Sequence, residues 1–338
     1  MDELTSQQDC NLIEINRGTT HDGPGMRTTV FFKGCPLHCA WCQNPEGIDF
    51  GQDVWWEGRK CIRCLSCVEA CPNSAISAHN DRLSIDRERC DVCWRGRTYG
   101  VPCVEACPSR AMSLTGEEWS LSRLVREVLK DREYYAAFGG GVTASGGEPL
   151  GQYPFVAEFF RILQGEGIHT ALDTCGHVPF EAFEAVLPFT DHVLYDLKIA
   201  DPELHRLHTG KSNQVILENL LNIASRYLRP AGSPKKLWIR TPLIPGATAS
   251  TENITAIGRF IQEYLSDVLE RWELCAFNSA CNLKYQKLGL QWPFENTGLM
   301  TQNQIDPLRA AALAGNFNLD KLVISGLVAR EAPLPEIA

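Results

Sequence analysis

From about Ser120 onward, apolar positions along the chain follow two alternating periods. In LSRLVREVLKDREYYAAF, Leu121, Leu124, Val125, Val128 and Leu129 recur at helical spacing and make one apolar face. FVAEFFRILQGEG, FEAFEAVLPF, VILENLLNIASRYL, ITAIGRFIQEYLSDVL and IDPLRAAALAGN predict further helices, with Gly165 or Gly167 near the stop of the first. Between them GVTASGG, HTALDT, DHVLYDLK, KLWIRTPL, WELCAF and KLVIS read as short strands. Strand and helix alternate about six times with short connections, the pattern of parallel β/α units in a sheet that is open or curled into a barrel. Upstream, residues 1–50 contain one strand, TTVFFKG. Residues 51–115 have few long apolar runs and read as a small insert. The expected architecture is one barrel-like domain, complete or partial, begun in 1–50, interrupted by 51–115 and resumed over 116–338.

Composition narrows the setting. The 338 residues carry a formal net charge of −9, which argues against a nucleic-acid partner and against an anionic membrane. No apolar run approaches the about 20 residues that span a bilayer. The start, MDELTSQQDC, is polar and acidic rather than a targeting segment, so a cytoplasmic location is expected. Fifteen cysteines are present, and 11 of them fall between Cys35 and Cys107. In a reducing compartment such clusters bind metal more often than they pair.

Two cysteine quartets lie in the insert. Cys61, Cys64, Cys67 and Cys71, followed by Pro72, have the C-x2-C-x2-C-x3-C-P spacing of bacterial-type ferredoxins. Cys90, Cys93, Cys103 and Cys107, followed by Pro108, match it except that nine residues replace two between Cys93 and Cys103. In that spacing the cysteine before proline serves the other cluster. One cluster is then expected on Cys61, Cys64, Cys67 and Cys107, and the other on Cys90, Cys93, Cys103 and Cys71. Two zinc sites are the competing reading of cysteine-only quartets.

A third group, Cys35, Cys39 and Cys42, follows C-x3-C-x2-C in FFKGCPLHCAWCQNPEG. Structural zinc sites and simple electron-transfer clusters usually take four protein ligands, so a three-thiolate site with an open corner suggests chemistry at the metal. This spacing, with Trp41 before the last cysteine, resembles the signature of the radical S-adenosylmethionine (radical SAM) superfamily. DGPGMRTTVFFKGCPLHCAWCQNPEG, GGGVTASGGEPL, LDTCG, DLK and WIRTPLIPG, in that order, resemble the glycyl-radical-enzyme activating enzymes, of the type with an inserted two-cluster ferredoxin domain. The resemblance covers nearly the whole chain. It implies an α/β fold, a partial (β/α)6 TIM-like barrel with an inserted ferredoxin-like α+β domain. It also implies three [4Fe–4S] clusters, S-adenosylmethionine, and a monovalent cation near two aspartates.

The resemblance assigns roles residue by residue. Cys35, Cys39 and Cys42 would hold three irons, leaving the fourth to chelate S-adenosylmethionine. One electron would cleave the sulfonium bond, and the 5′-deoxyadenosyl radical would take hydrogen from a backbone glycine of a partner glycyl-radical enzyme. Gly146, Gly147 and Glu148 would bind the methionine amino group. Trp41, Gln43, Asp173, Asp196, Leu197, Lys198 and Arg240 would complete the cofactor site. Asn278, in CAFNSAC, stands where many relatives carry histidine, and could still donate a hydrogen bond. Asp22, Gly23 and Arg27 of DGPGMR would lie near the partner's glycyl loop. A ferredoxin or flavodoxin would supply electrons. Choline, hydroxyproline, aryl-acetate and hydrocarbon-metabolising partners all stay open. So do a radical SAM enzyme acting on another peptide or a small molecule, and an iron–sulfur carrier or zinc module. Cys10, Cys175, Cys275 and Cys281 match no cluster spacing and read as buried free thiols.

Overall fold

The computed structural model describes residues 9–80, 82–95, 100–230, 235–314 and 317–329. Thirteen strands are present among them: β1 Cys10–Thr19, β2 Arg27–Phe32, β3 Asp53–Trp56, β4 Ile76–His79, β5 Arg82–Ile85, β6 Met112–Thr115, β7 Glu117–Trp119, β8 Gly141–Gly146, β9 His169–Thr174, β10 His192–Asp196, β11 Lys236–Leu243, β12 Leu269–Ala276 and β13 Leu322–Ser325. Nine form one sheet in the order β13-β12-β11-β10-β9-β8-β2-β1-β7. β2 and β8 to β13 are parallel throughout, and β1 and β7 close one edge as antiparallel neighbours. The fold is thus mixed α/β with a large parallel sheet, and neighbouring parallel strands follow in sequence order.

Period-two alternation divides the sheet into two chemically different faces. Val142, Ala144, Leu172, Val193, Tyr195, Leu237 and Ile239 belong to the main core, with Leu124, Phe159, Phe183 and Ile257 of the helices. On the opposite face a separate small cluster, Ala171, Leu194 and Trp238, fills the middle. Register places Asp173 beside Leu194, and Asp196 beside Arg240. Apolar packing therefore stops one residue pair short of the C-terminal strand ends, and charge takes over there.

The predicted elements differ from the observed ones at their ends. LSRLVREVLKDREYYAAF is two helices, Leu121–Val128 and Arg132–Phe138, with a 3-10 turn between them. ITAIGRFIQEYLSDVL stops early, because the helix is Thr251–Tyr264 and Leu269 already starts β12. The last helix runs Gln302–Leu313, with residues 315–316 of its expected range outside those described. β1 and the helices Pro202–Thr209 and Asn282–Leu288 had no clear period in the sequence.

Between β2 and β7 the chain forms a small α+β unit. β3 pairs with β6 and β4 with β5, both antiparallel. Its separate core includes Val54, Cys67, Ala75, Ile76, Cys90, Cys103 and Met112. Arg87 ties it to the larger body, donating to Val54 O at 2.7 Å and to Leu288 O at 2.8 Å. Residues 96–99 of the widened loop before Cys103 lie outside those described.

Candidate active site

The three-cysteine loop leaves β2 at its C-terminal end and is gripped on several sides. Gly34 and Cys35 donate to Gly47 O and Ile48 O, at 2.8 and 2.9 Å. His38 and Ala40 donate to Thr209 O and His208 O at the end of helix Pro202–Thr209, again 2.8 and 2.9 Å. The Tyr285 hydroxyl, from helix Asn282–Leu288, donates to Cys42 O at 3.0 Å. The two helices with no clear sequence period are therefore the ones that fix the loop.

Cys35, Cys39 and Cys42 open on one cavity of about 310 Å³ at the C-terminal strand ends. Gly146, Gly147, Asp196, Lys198, Arg240 and Asn278 also line it, with Trp41, Gln43 and the apolar Pro242, Ile244 and Phe277. Asp173 stands just behind, accepting from Arg240 Nη1 at 3.1 Å and Ser145 Oγ at 2.7 Å. Asp196 pairs with Lys198. The Arg240 Nε is buried in the cavity wall with no hydrogen-bond partner.

Burial sets the electrostatics. It pushes the Asp173 carboxyl up to about 6, against the pull of Arg240 and with Asp196 and Asp22 adding to the rise. Burial works against the Lys198 charge, but Asp196, Cys39 and Cys175 together hold its pKa above the ordinary value. Burial pushes the Cys39 thiol up to about 12. Burial likewise raises Cys42, whereas the hydrogen bond with Cys175 lowers Cys35, so ligation of metal by Cys39 and Cys42 releases protons.

Several expected residues take other positions. Glu148 is fully buried, and its carboxylate accepts from Leu150 N at 3.1 Å, Thr174 Oγ1 at 2.9 Å and Cys175 N at 2.8 Å. It ties the ends of β8 and β9 together and does not line the cavity. The glycine pair meets the chain's own backbone: a Cβ on Gly147 would lie 2.5 Å from Gly34 O, and one on Gly146 2.4 Å from Phe32 N. Leu197 turns its side chain into the main core and joins β11 by its backbone, donating to Arg240 O at 3.0 Å. Gln43 donates to Asn278 O at 3.2 Å, and Asn278 Oδ1 accepts from Ala280 N at 3.0 Å.

Asp22 accepts from Thr29 Oγ1 at 2.8 Å, on the same sheet face as Asp173. Gly23 and the Arg27 side chain are in near contact. Arg27 is completely buried and donates to Thr143 Oγ1 at 2.6 Å, Val142 O at 2.7 Å and Pro24 O at 3.0 Å. It clamps the DGPG turn from inside. Cys175 is a buried free thiol as expected and Cys275 a half-buried one, and both also line the cavity, where Cys175 shares a hydrogen bond with Cys35. Their places in LDTCG and at the start of CAFN were the available sequence signals.

In the smaller unit each quartet surrounds one void. Cys61, Cys64, Cys67 and Cys107 line the first, with Trp56, Leu83 and Met112. Cys71, Cys90, Cys93 and Cys103 line the second, with Val54, Ile76 and Ile85. This is the crossed grouping. Among the described residues, no three His, Cys, Asp or Glu side chains are arranged to hold a single metal ion. The four-thiol lining of each void is a donor set for an iron–sulfur cluster or for zinc.

Comparison with known proteins agrees with this chemistry. Residues 87–255 match the Radical SAM superfamily, and residues 53–108 match a 4Fe-4S dicluster domain. The (2S)-3-sulfopropanediol dehydratase activating enzyme of Klebsiella oxytoca is 38% identical over 84% of this chain and 87% of its own. The trans-4-hydroxy-L-proline dehydratase activating enzyme of Clostridioides difficile is 34% identical over 91% and 97%. The isethionate sulfite-lyase activating enzyme of Oleidesulfovibrio alaskensis is 40% identical over 83% and 87%. The chain belongs to the glycyl-radical-enzyme activating enzymes of the radical SAM superfamily.

Proposed function

We propose that this chain activates a partner glycyl-radical enzyme from the cavity at the C-terminal strand ends. One observation carries the reading: three cysteines share a single cavity with Asp196, Lys198, Arg240 and Asn278. Cys35, Cys39 and Cys42 would hold a [4Fe–4S] cluster, which when bound would supply the one-electron reductive chemistry on S-adenosylmethionine by which hydrogen is taken from a partner glycine. Lys198, the unpartnered Arg240 Nε and Asn278 suit the methionine carboxylate. Gly146 and Gly147 offer backbone to its amino group, and Asp196 and Asp173 offer acceptors to the amino group and ribose hydroxyls. Pro242, Ile244 and Phe277 keep water from that volume. Glu148 acts one step back, by holding the β8 and β9 ends in place.

The barrel is assigned to residues 1–50 and 116–338, and a ferredoxin-like domain to 51–115. Cys61, Cys64, Cys67 and Cys107 would hold one further [4Fe–4S] cluster, and Cys71, Cys90, Cys93 and Cys103 another. Arg240 and Lys198 already neutralise Asp173 and Asp196, so a monovalent cation is not required by this reading. The reductant is a ferredoxin or flavodoxin, and the setting an anaerobic cytoplasm.

Anaerobic mixing of reduced protein, S-adenosylmethionine and candidate partners tests the reading. A glycyl-radical doublet in the electron paramagnetic resonance (EPR) spectrum is expected with the cognate partner, and none with Cys39→Ala. Cofactor cleavage without a doublet on any cognate candidate, with clusters intact, would overturn it.

A further inference from the structure

We propose that Asn73 is a positioning residue for the cluster of Cys71, Cys90, Cys93 and Cys103: its side-chain amide donates to the Cys93 sulfur and raises that cluster's reduction potential. The inference rests on the reading that the two voids of the smaller unit hold [4Fe–4S] clusters.

The smaller unit uses one stretch of sequence twice. CVEACP occurs at residues 67–72 and again at 103–108. Each copy begins in a single-turn helix, Ser66–Glu69 and Pro102–Glu105. The backbones then match bond for bond. Cys71 N donates to Val68 O at 3.3 Å, and Cys107 N to Val104 O at 3.2 Å. Ser74 N donates to Cys71 O, and Arg110 N to Cys107 O, both at 3.2 Å. Ser74 and Arg110 both hold left-handed backbone, at φ 49° and 54°. Each cysteine before proline also accepts from a backbone N–H: Cys71 Sγ from Ala75 N at 3.2 Å, and Cys107 Sγ from Met112 N at 3.4 Å.

On this matched frame the residue after proline differs, and so does its reach. Asn73 Nδ2 lies 3.1 Å from the sulfur of Cys93, which belongs to helix Arg87–Arg95. Its counterpart Ser109 has a side chain one bond shorter, and its Oγ stands 3.7 Å from the sulfur of the nearby Cys107. In the cage of Cys61, Cys64, Cys67 and Cys107, Ser66 Oγ donates to Cys64 Sγ at 3.4 Å, but Cys64 is exposed and water competes there. Cys90 and Cys103 are buried and Cys93 half-buried, so the Asn73 bond acts in a lower dielectric.

A thiolate ligand accepts and cannot donate, so the amide N–H faces the sulfur rather than the amide carbonyl. Reduction adds one electron to the cluster, breaks no bond and needs no proton. The added negative charge spreads onto the sulfurs, and an N–H aimed at one of them favours the reduced state. The repeat supplies the same ligand frame twice, and Asn73 makes the two copies chemically unequal.

The test is a redox titration of cluster-loaded full-length protein, with dithionite as electron donor and EPR as readout. A Cys39→Ala background leaves the signals of the smaller unit to be read alone, and the signal that Cys71→Ala removes is the one followed. Asn73→Ser should lower its reduced-to-oxidised ratio about tenfold at a fixed potential, a fall of about 59 mV in midpoint, and leave the other signal in place. Ser109→Asn is the reciprocal variant. It should raise the midpoint of the other cluster, whose Cys64 is the counterpart of Cys93 in the repeat. A midpoint unmoved by Asn73→Ser would overturn the proposal, and so would a fall of both signals together or no rise with Ser109→Asn. Iron and zinc analysis of the same samples separates the proposal from the reading beneath it. Unmoved midpoints at wild-type iron content overturn the proposal alone, whereas zinc in the smaller unit overturns the cluster reading with it.

Discussion

Arg27 and Glu148 show how much a charged residue's environment decides what it does. Both lie in motifs that carry the resemblance to the family, and both are wholly enclosed with their polar atoms committed to the chain. A motif fixes residue type and spacing, but burial becomes visible only once three strands have met. Asp196, Lys198 and Arg240 were legible, because a charge closing an apolar strand stands out in sequence. At the N-terminal edge of the same sheet face, burial pushes the His192 imidazole down from 6.5 to about 3, with His169, Arg27, Arg271 and Lys236 adding to the fall. The unfolded chain protonates below 6.5 and the fold only near 3. The stabilising contribution is therefore full above the unfolded value and is lost as pH falls from 6.5 towards 3. Between pH ~7.5 and ~5.5 wild type should lose about 1 kcal/mol that a His192→Phe variant keeps. Anaerobic urea unfolding at both pH values measures this, and equal losses would contradict it.

At the scale of elements, the parallel strands of the large sheet were read well, whereas β1, the short strands β3 to β7 and two short helices were not. HTALDT and KLWIRTPL were recognised residue for residue, because a central strand shows its period in full. Pro202–Thr209 and Asn282–Leu288 are short and half-solvated, and they earn their place by holding the cysteine loop rather than by an apolar stripe. The Glu148 carboxylate performs a similar task between β8 and β9. Glu148→Gln puts an amide donor against donors, which should cost about 2 kcal/mol of stability. If Glu148 instead held the methionine amino group, the same change would weaken S-adenosylmethionine binding and leave unfolding untouched. Denaturant unfolding set beside cofactor affinity distinguishes the two outcomes.

For the whole molecule, the cysteine spacing carried most of the information. It gave the crossed quartets, and the two voids are lined in that pattern. What spacing could not convey is how the smaller unit meets the larger body, since Arg87 and Lys287 make that contact through residues distant in sequence. Crossed ligation predicts that Cys71→Ala and Cys90→Ala remove the same EPR signal, while Cys61→Ala removes a different one. Each variant should fall from about twelve irons per chain towards about eight. A Cys71→Ala spectrum identical to that of Cys61→Ala would contradict the crossing. The most direct test of the central claim labels the partner with α-deuterated glycine and follows the deuterium. After anaerobic turnover, the account predicts singly deuterated 5′-deoxyadenosine in proportion to the glycyl radical formed. Unlabelled 5′-deoxyadenosine beside an equal yield of radical would contradict it.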